Sequence, residues 1–185
     1  MKKKRIAMLI AVAMLIVGVI GLTIAWLTDK TDPVKNTFSP SDINITLTES
    51  DDLDLKMIPG YTIKKDPLVT VKANSEKAFV FVKLEKSANF DSFMSYTMAE
   101  GWTQLTGVDN VWYRVVDAPS STNDLTFQVI EDDKVVVKNT VTKAMMNALT
   151  EATYPTLTVT AYASQFAKDN TNEFTAAEAW GNLNP

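Results

Sequence analysis

The 185-residue sequence contains no cysteine and no histidine. Those two absences exclude disulfide frameworks, Cys/His zinc sites, cysteine nucleophiles and every triad built on histidine. Glycine and proline are also scarce, at 6 and 7 residues, which rules out collagen-like and Pro/Gly-rich disordered chains. The chemistry that remains is catalysis by carboxylate, Lys, Tyr or a Ser/Lys pair, or hard-cation binding through oxygen. No motif for any of these stands out. A hydrophobic fraction of 46% with 22% charged residues is enough to bury a proper core.

The N-terminus reads as an address. Lys2, Lys3, Lys4 and Arg5 precede an uninterrupted apolar run over residues 6–24. This run exceeds a usual signal-peptide core and approaches the ~20 residues that span a bilayer, so a signal peptide over residues 1–25 and an uncleaved anchor are both open readings. Thr23 and Ala25 supply the small residues of a signal-peptidase site before Trp26, and no basic stop-transfer cluster follows. Either reading takes the body of the chain out of the cytoplasm, with membrane contact only through residues 6–24 if the segment is kept. The leader holds four of the 18 basic residues and no acidic one, which leaves 14 basic against 22 acidic residues, a balance of −8. An acidic surface argues against nucleic acid and anionic membrane as partners.

The body is rich in threonine set among Val, Ile, Phe and Tyr, which favours strands. Residues 43–48 alternate strictly, as a half-buried strand does, and Pro59-Gly60 predicts a turn. Residues 68–72 and 78–84 are two further strands, expected to pair across residues 74–77, and the second is apolar on both faces. Strands are also expected over 111–116, 125–130, 134–141 and 156–166, with 125–130 and 134–141 forming a hairpin through Glu131-Asp132-Asp133. Val141, Ala144, Met145, Ala148 and Leu149 make a helical stripe, and Phe90, Phe93, Met94 and Thr97 hint at another. Thr175-Ala176-Ala177-Glu178 is a capping box that opens a short helix carrying Trp180. These elements predict an all-β chain: an antiparallel β-sandwich of jelly-roll or immunoglobulin-like type with a few short helices. The expected organisation is an extended arm over 26–40 and one sandwich domain over 41–185.

Several motifs recur here in a particular order. Trp26-Leu27-Thr28-Asp29 follows the leader, and Asn36-Thr37-Phe38 leads into the first strand. Ile58-Pro59-Gly60-Tyr61 comes next, with Lys64-Lys65-Asp66 downstream, and residues 160–165 and 175–180 close the chain. This layout resembles the secreted TasA/camelysin family of Gram-positive bacteria, biofilm-matrix fibre proteins exported through a dedicated signal peptidase. The likeness covers the first third and the last thirty or so residues; the middle, about 87–152, carries no matching motif. It implies an extracellular, jelly-roll-like subunit in which the N-terminal arm of one copy adds as a strand to the next. Zinc-peptidase chemistry, also attached to camelysin-like proteins, does not transfer, because the known sites need at least two histidines.

The arm itself offers Trp26, Leu27, Val34 and Phe38 as apolar side chains, and Asp32-Pro33 biases it towards extended backbone. Such a segment suits strand addition, in which main-chain hydrogen bonds supply affinity and alternate side chains fill pockets. The plainer reading is that it closes its own sheet. Trp102, Trp112 and Tyr113 could line a glycan platform, but adjacent strand residues point to opposite faces, and core packing is the plainer role. Asp51, Asp52, Asp54 and the 131–133 trio lack the EF-hand pattern and read as solvated loop charge. A Lys–Asn/Asp isopeptide crosslink is open chemistry with no pair singled out. The expectation is therefore a non-enzymatic, cofactor-free structural subunit, secreted or at the cell surface. Its partners would be copies of itself or a related fibre subunit, and the signal peptidase during export. The rival is a monomeric surface-binding module for a glycan or a host protein.

Overall fold

The most apolar strand sets the architecture. In the computed structural model, which describes residues 42–50 and 56–183, β4 (Ala78–Lys86) lies at the centre of a four-stranded antiparallel sheet. Its neighbours are β10 (Leu157–Gln165) on one side and β7 (Val111–Val116) on the other, with β6 (Thr103–Gln104) beyond β7. Because side chains alternate along a strand, Val80, Val82 and Leu84 face one way and Phe79 and Phe81 the other. Both faces are covered, so all five are buried. This is why the segment is apolar without alternation.

The opposing layer consists of two three-stranded antiparallel sheets that share bent chains. β1 (Ile45–Thr48), β3 (Leu68–Val71) and β8 (Leu125–Gln128) form one, and β2 (Thr62–Lys64), β9 (Ile130–Val137) and β5 (Met94–Met98) form the other. β2 runs on into β3 and β8 into β9, so one antiparallel ladder continues through both sheets. It is held at the bend by Lys65 N–H to the Asp133 carbonyl and Val129 N–H to the Pro67 carbonyl. The inner faces meet in a core that includes Val69, Val71, Val80, Val82, Leu84, Val129, Ile130 and Val137. The chain is all-β, an antiparallel sandwich with few short helices, as its pattern predicts.

Two expected pairings do not form. Residues 68–72 and 78–84 do not make a hairpin: β3 pairs with β1 and β8, and β4 with β10 and β7. Their link crosses between layers instead, with Asn74 in the left-handed region at φ 64° and the buried Ser75 hydroxyl bonded to the backbone of Asn44. Placing the two strands in opposite layers lets Val69 and Val71 share the core with Val80 and Val82. Likewise β8 and β9 are consecutive rather than paired. Asp132 and Asp133, at φ 53° and 57°, form a bulge inside β9, and the chain continues in the same direction. The Pro59-Gly60 turn forms as expected, closed by Tyr61 N–H to the Ile58 carbonyl at 2.9 Å with Gly60 at φ 80°.

The helices are short. α1 spans Phe90–Phe93, α2 spans Lys143–Asn147 with Thr142 as N-cap, and a single 3-10 turn covers Glu151–Thr153. α3 (Ala176–Gly181) packs on the outer face of the four-stranded sheet, where Trp180 sits 5.2 Å from Phe81 and 5.3 Å from Tyr162, ring centre to ring centre. Its capping box forms as read: Thr175 N–H and hydroxyl both donate to Glu178, and the Glu178 N–H donates back to the Thr175 hydroxyl.

Lys168 foremost, then Thr175, holds the Glu178 carboxyl down at about 2, against an ordinary 4.5. A folded-state pKa below the unfolded one gives a contribution that is full above about pH 4.5 and fades as pH falls towards about 2. Acidification through that window is expected to loosen α3 from Phe81. The expected readout is a change in Trp180 emission, which the Trp180→Phe protein identifies and Glu178→Gln removes.

Candidate functional site

Edge strands expose unpaired backbone groups, and proteins usually blunt them by keeping them short or charged. Five of the six edges here are short, from two residues in β6 to five in β5. β10 is the exception. Its nine residues, LTVTAYASQ, include no charge, no proline and no glycine, and among the described residues it pairs with β4 alone. Every second amide of β10 points away from β4; β1 of the facing layer comes close to the strand without pairing with it, so this neutral edge has no ladder partner among the described residues.

Beside the start of β10 lies a groove of about 950 Å³, lined by Met57, Ile58, Met146, Leu149, Tyr154, Pro155 and Leu157. Ile63, Phe90, Met94 and Val135 also line it and, as buried residues, form its floor. The floor residues are core residues, each no more than 8% exposed, so an occupant would extend the hydrophobic core. The rim carries Ile58 at 46% and Tyr154 at 52% exposure, large apolar surface left to solvent. Such patches mark contact sites. Three methionines among the lining residues add side chains that adapt to irregular shapes.

Ser50 lies 3.5 Å from Lys64, the one Ser/Lys approach in reach of a dyad among the described hydrogen bonds. Lys64 is bound to Asp66 at 2.7 Å, and that contact raises the lysine's pKa and keeps it protonated. Asp66 is correspondingly held well below the usual carboxylate range by Lys64 and Ser50. A lysine stabilised as a cation cannot take the serine proton. The buried polar residues are Thr70, Ser75 and Ser164, so among the described residues no lysine or carboxylate sits in the core, where an isopeptide pair would be sheltered.

The residues singled out by the sequence pattern fall unevenly. Thr23, Ala25, Trp26, Leu27, Val34 and Phe38 lie outside the described residues, as do Asp51, Asp52 and Asp54. Trp112 packs against the inner core and Tyr113 against the outer cluster, so the two do not share a platform. The Trp102 indole donates to the Gln128 carbonyl at 2.7 Å. In the acidic trio Asp132 pairs with Lys134 and Asp133 accepts from Gln128. Among the described residues no group of three acids could hold a metal ion, and no helix is long and apolar enough to cross a membrane.

Sequence reading missed the groove, because its walls come from distant segments. The helical stripe at 141–149 was its one local signal, since Met146 and Leu149 extend that segment into the lining. No family model, curated protein or solved structure matches the chain.

Proposed function

We propose that this chain is a secreted structural subunit that assembles with copies of itself, or with a related fibre subunit, by strand addition. The donor is the segment 26–38, with Trp26, Leu27, Val34 and Phe38 as its apolar side chains. The acceptor is β10 with the groove beside it. Signal peptidase would release the donor by cutting after Ala25.

One observation carries the reading: a nine-residue neutral edge strand borders an apolar groove that opens onto the core. Backbone groups on such an edge gain hydrogen bonds from an added strand, and alternate side chains of that strand enter the groove. The groove also suits an apolar peptide better than a polar small molecule, because Lys56 and Lys65 are the only charged residues among its described lining. The jelly-roll form and the kinship with TasA/camelysin proteins belong to the same proposal, resting on the motif order at both ends of the chain.

The test compares residues 26–185 with residues 39–185 by light scattering and negative-stain electron microscopy. The longer protein is expected to form filaments or large assemblies, and the shorter to remain a folded monomer. Equal assembly by both would overturn the role of the arm.

A further inference from the structure

Two strands from β10 in the same sheet, a single guanidinium is left without an acceptor among the described residues. Arg114 is one of only two arginines in the sequence, the other being Arg5 in the leader. It points inward from β7, opposite Val80 of β4. Its guanidinium carbon lies 3.9 Å from the centre of the Phe127 ring and 5.3 Å from that of Trp102. Phe127 belongs to β8 of the facing layer, so the group is held between the two layers where β6 and β8 are both edges. The Trp102 indole is fixed in turn by its bond to Gln128.

Gly101 completes the recess. It sits at φ 86°, and a Cβ there would lie 2.8 Å from one terminal guanidinium nitrogen, so the absence of a side chain makes room for the charge. Among the described residues the buried Nε atom has no hydrogen-bond partner. Neither terminal nitrogen makes a hydrogen bond to a described residue, and neither joins Nε as a buried unpartnered atom, so both reach the surface. No carboxylate of the described residues pairs with Arg114, although the body of the chain is strongly acidic.

Partly removing a cation from water without an acceptor carries a cost, and that cost is offset when an anion supplies one. A guanidinium is planar and donates in a fork that matches the two oxygens of a carboxylate, and stacking on aromatic rings fixes the plane of that fork. We propose that the Arg114 recess is a receptor for one carboxylate group, presented from outside the described fold. This site is separate from the groove at β10 and does not depend on the assembly reading. The carboxylate can come from an Asp or Glu of a second copy or from a free organic acid; the chemistry is the same.

The test uses the exported chain, isotopically labelled, with acetate as probe at fixed ionic strength and chloride as control. Nuclear magnetic resonance follows the Arg114 Nε–H and Trp102 indole N–H signals. Both are expected to shift saturably with acetate and not with chloride. Arg114→Gln should abolish the saturable shift of Trp102. Should that protein fail to fold, Arg114→Lys, which keeps the charge and loses the fork, should bind acetate several-fold more weakly. Diluting the protein without acetate then identifies the source. Concentration-dependent shifts that acetate competes away assign a second copy, and concentration-independent signals assign a free acid. A linear, non-saturating response, or the same response in the Arg114 variants, overturns the proposal.

Discussion

Phe81→Ala is expected to cost roughly 3–5 kcal/mol of folding stability, the range for removing a large aromatic side chain from a well-packed core. Phe81 is 0% exposed on the central strand. Its ring lies against Phe79 at 6.1 Å, Tyr113 at 6.2 Å and Trp180 at 5.2 Å. Truncation leaves a cavity beneath α3, a six-residue helix seated on the sheet through Ala176, Ala179 and Trp180. Each lost aromatic pair adds to the burial loss by about 0.5–1.5 kcal/mol, so the upper part of the range applies. Urea denaturation followed by Trp emission measures it. Val115→Ala is the control, because Val115 lies on the same face of the same sheet but is 44% exposed; its cost should stay below about 1 kcal/mol. Similar losses at the two positions would mean that the outer cluster under α3 is not a packed core.

The second large effect is on assembly and should leave stability almost untouched. Ile58→Glu places a charge on the groove wall at a residue that is already half exposed. An exposed substitution of this kind changes folding free energy by about 0.5 kcal/mol or less. For a docked apolar strand the same change is severe, since the carboxylate would have to be desolvated without a partner. Assembly of residues 26–185 is therefore expected to be lost or reduced by orders of magnitude, while the urea midpoint stays put. Ile58→Val, which keeps the groove apolar, should assemble normally. Undiminished assembly by the Glu protein would move the docking site away from the groove.

The limits of the sequence reading follow from what each feature depends on. Strand content was legible because alternation is local. Residues 111–116 form β7 at those bounds, and the apolar run in β4 correctly announced a strand covered on both faces. Along β10, Leu157, Val159 and Ala161 face the core and Tyr162 the outer cluster, as their spacing requires. The α3 capping box was equally local, with donor and acceptor three residues apart.

Pairing was not legible. Proximity in sequence suggested hairpins at 74–77 and 131–133, but burial of both layers was better served by crossing between them. β2 and β6 escaped notice because two or three residues carry too little periodicity to register, and β5 was masked by the helical spacing of Phe90, Phe93, Met94 and Thr97, whereas the helix ends at Phe93 and Met94–Met98 is a strand. Neither site had a local signature. The groove joins Met57, Met94, Met146 and Leu157 from four separate segments, and the Arg114 recess depends on Phe127 arriving from the other layer. The motifs that suggested export and strand donation lie in residues 1–38, outside the described fold.

The central claim is that β10 accepts a strand from another copy. Amide hydrogen exchange on residues 157–165, compared between dispersed and assembled protein, tests it most directly. Strand addition would bond the β10 amides that point away from β4, so about every second amide should slow on assembly, with the β4 amides unchanged. Assembled protein whose β10 amides exchange as fast as in the dispersed state would contradict the account.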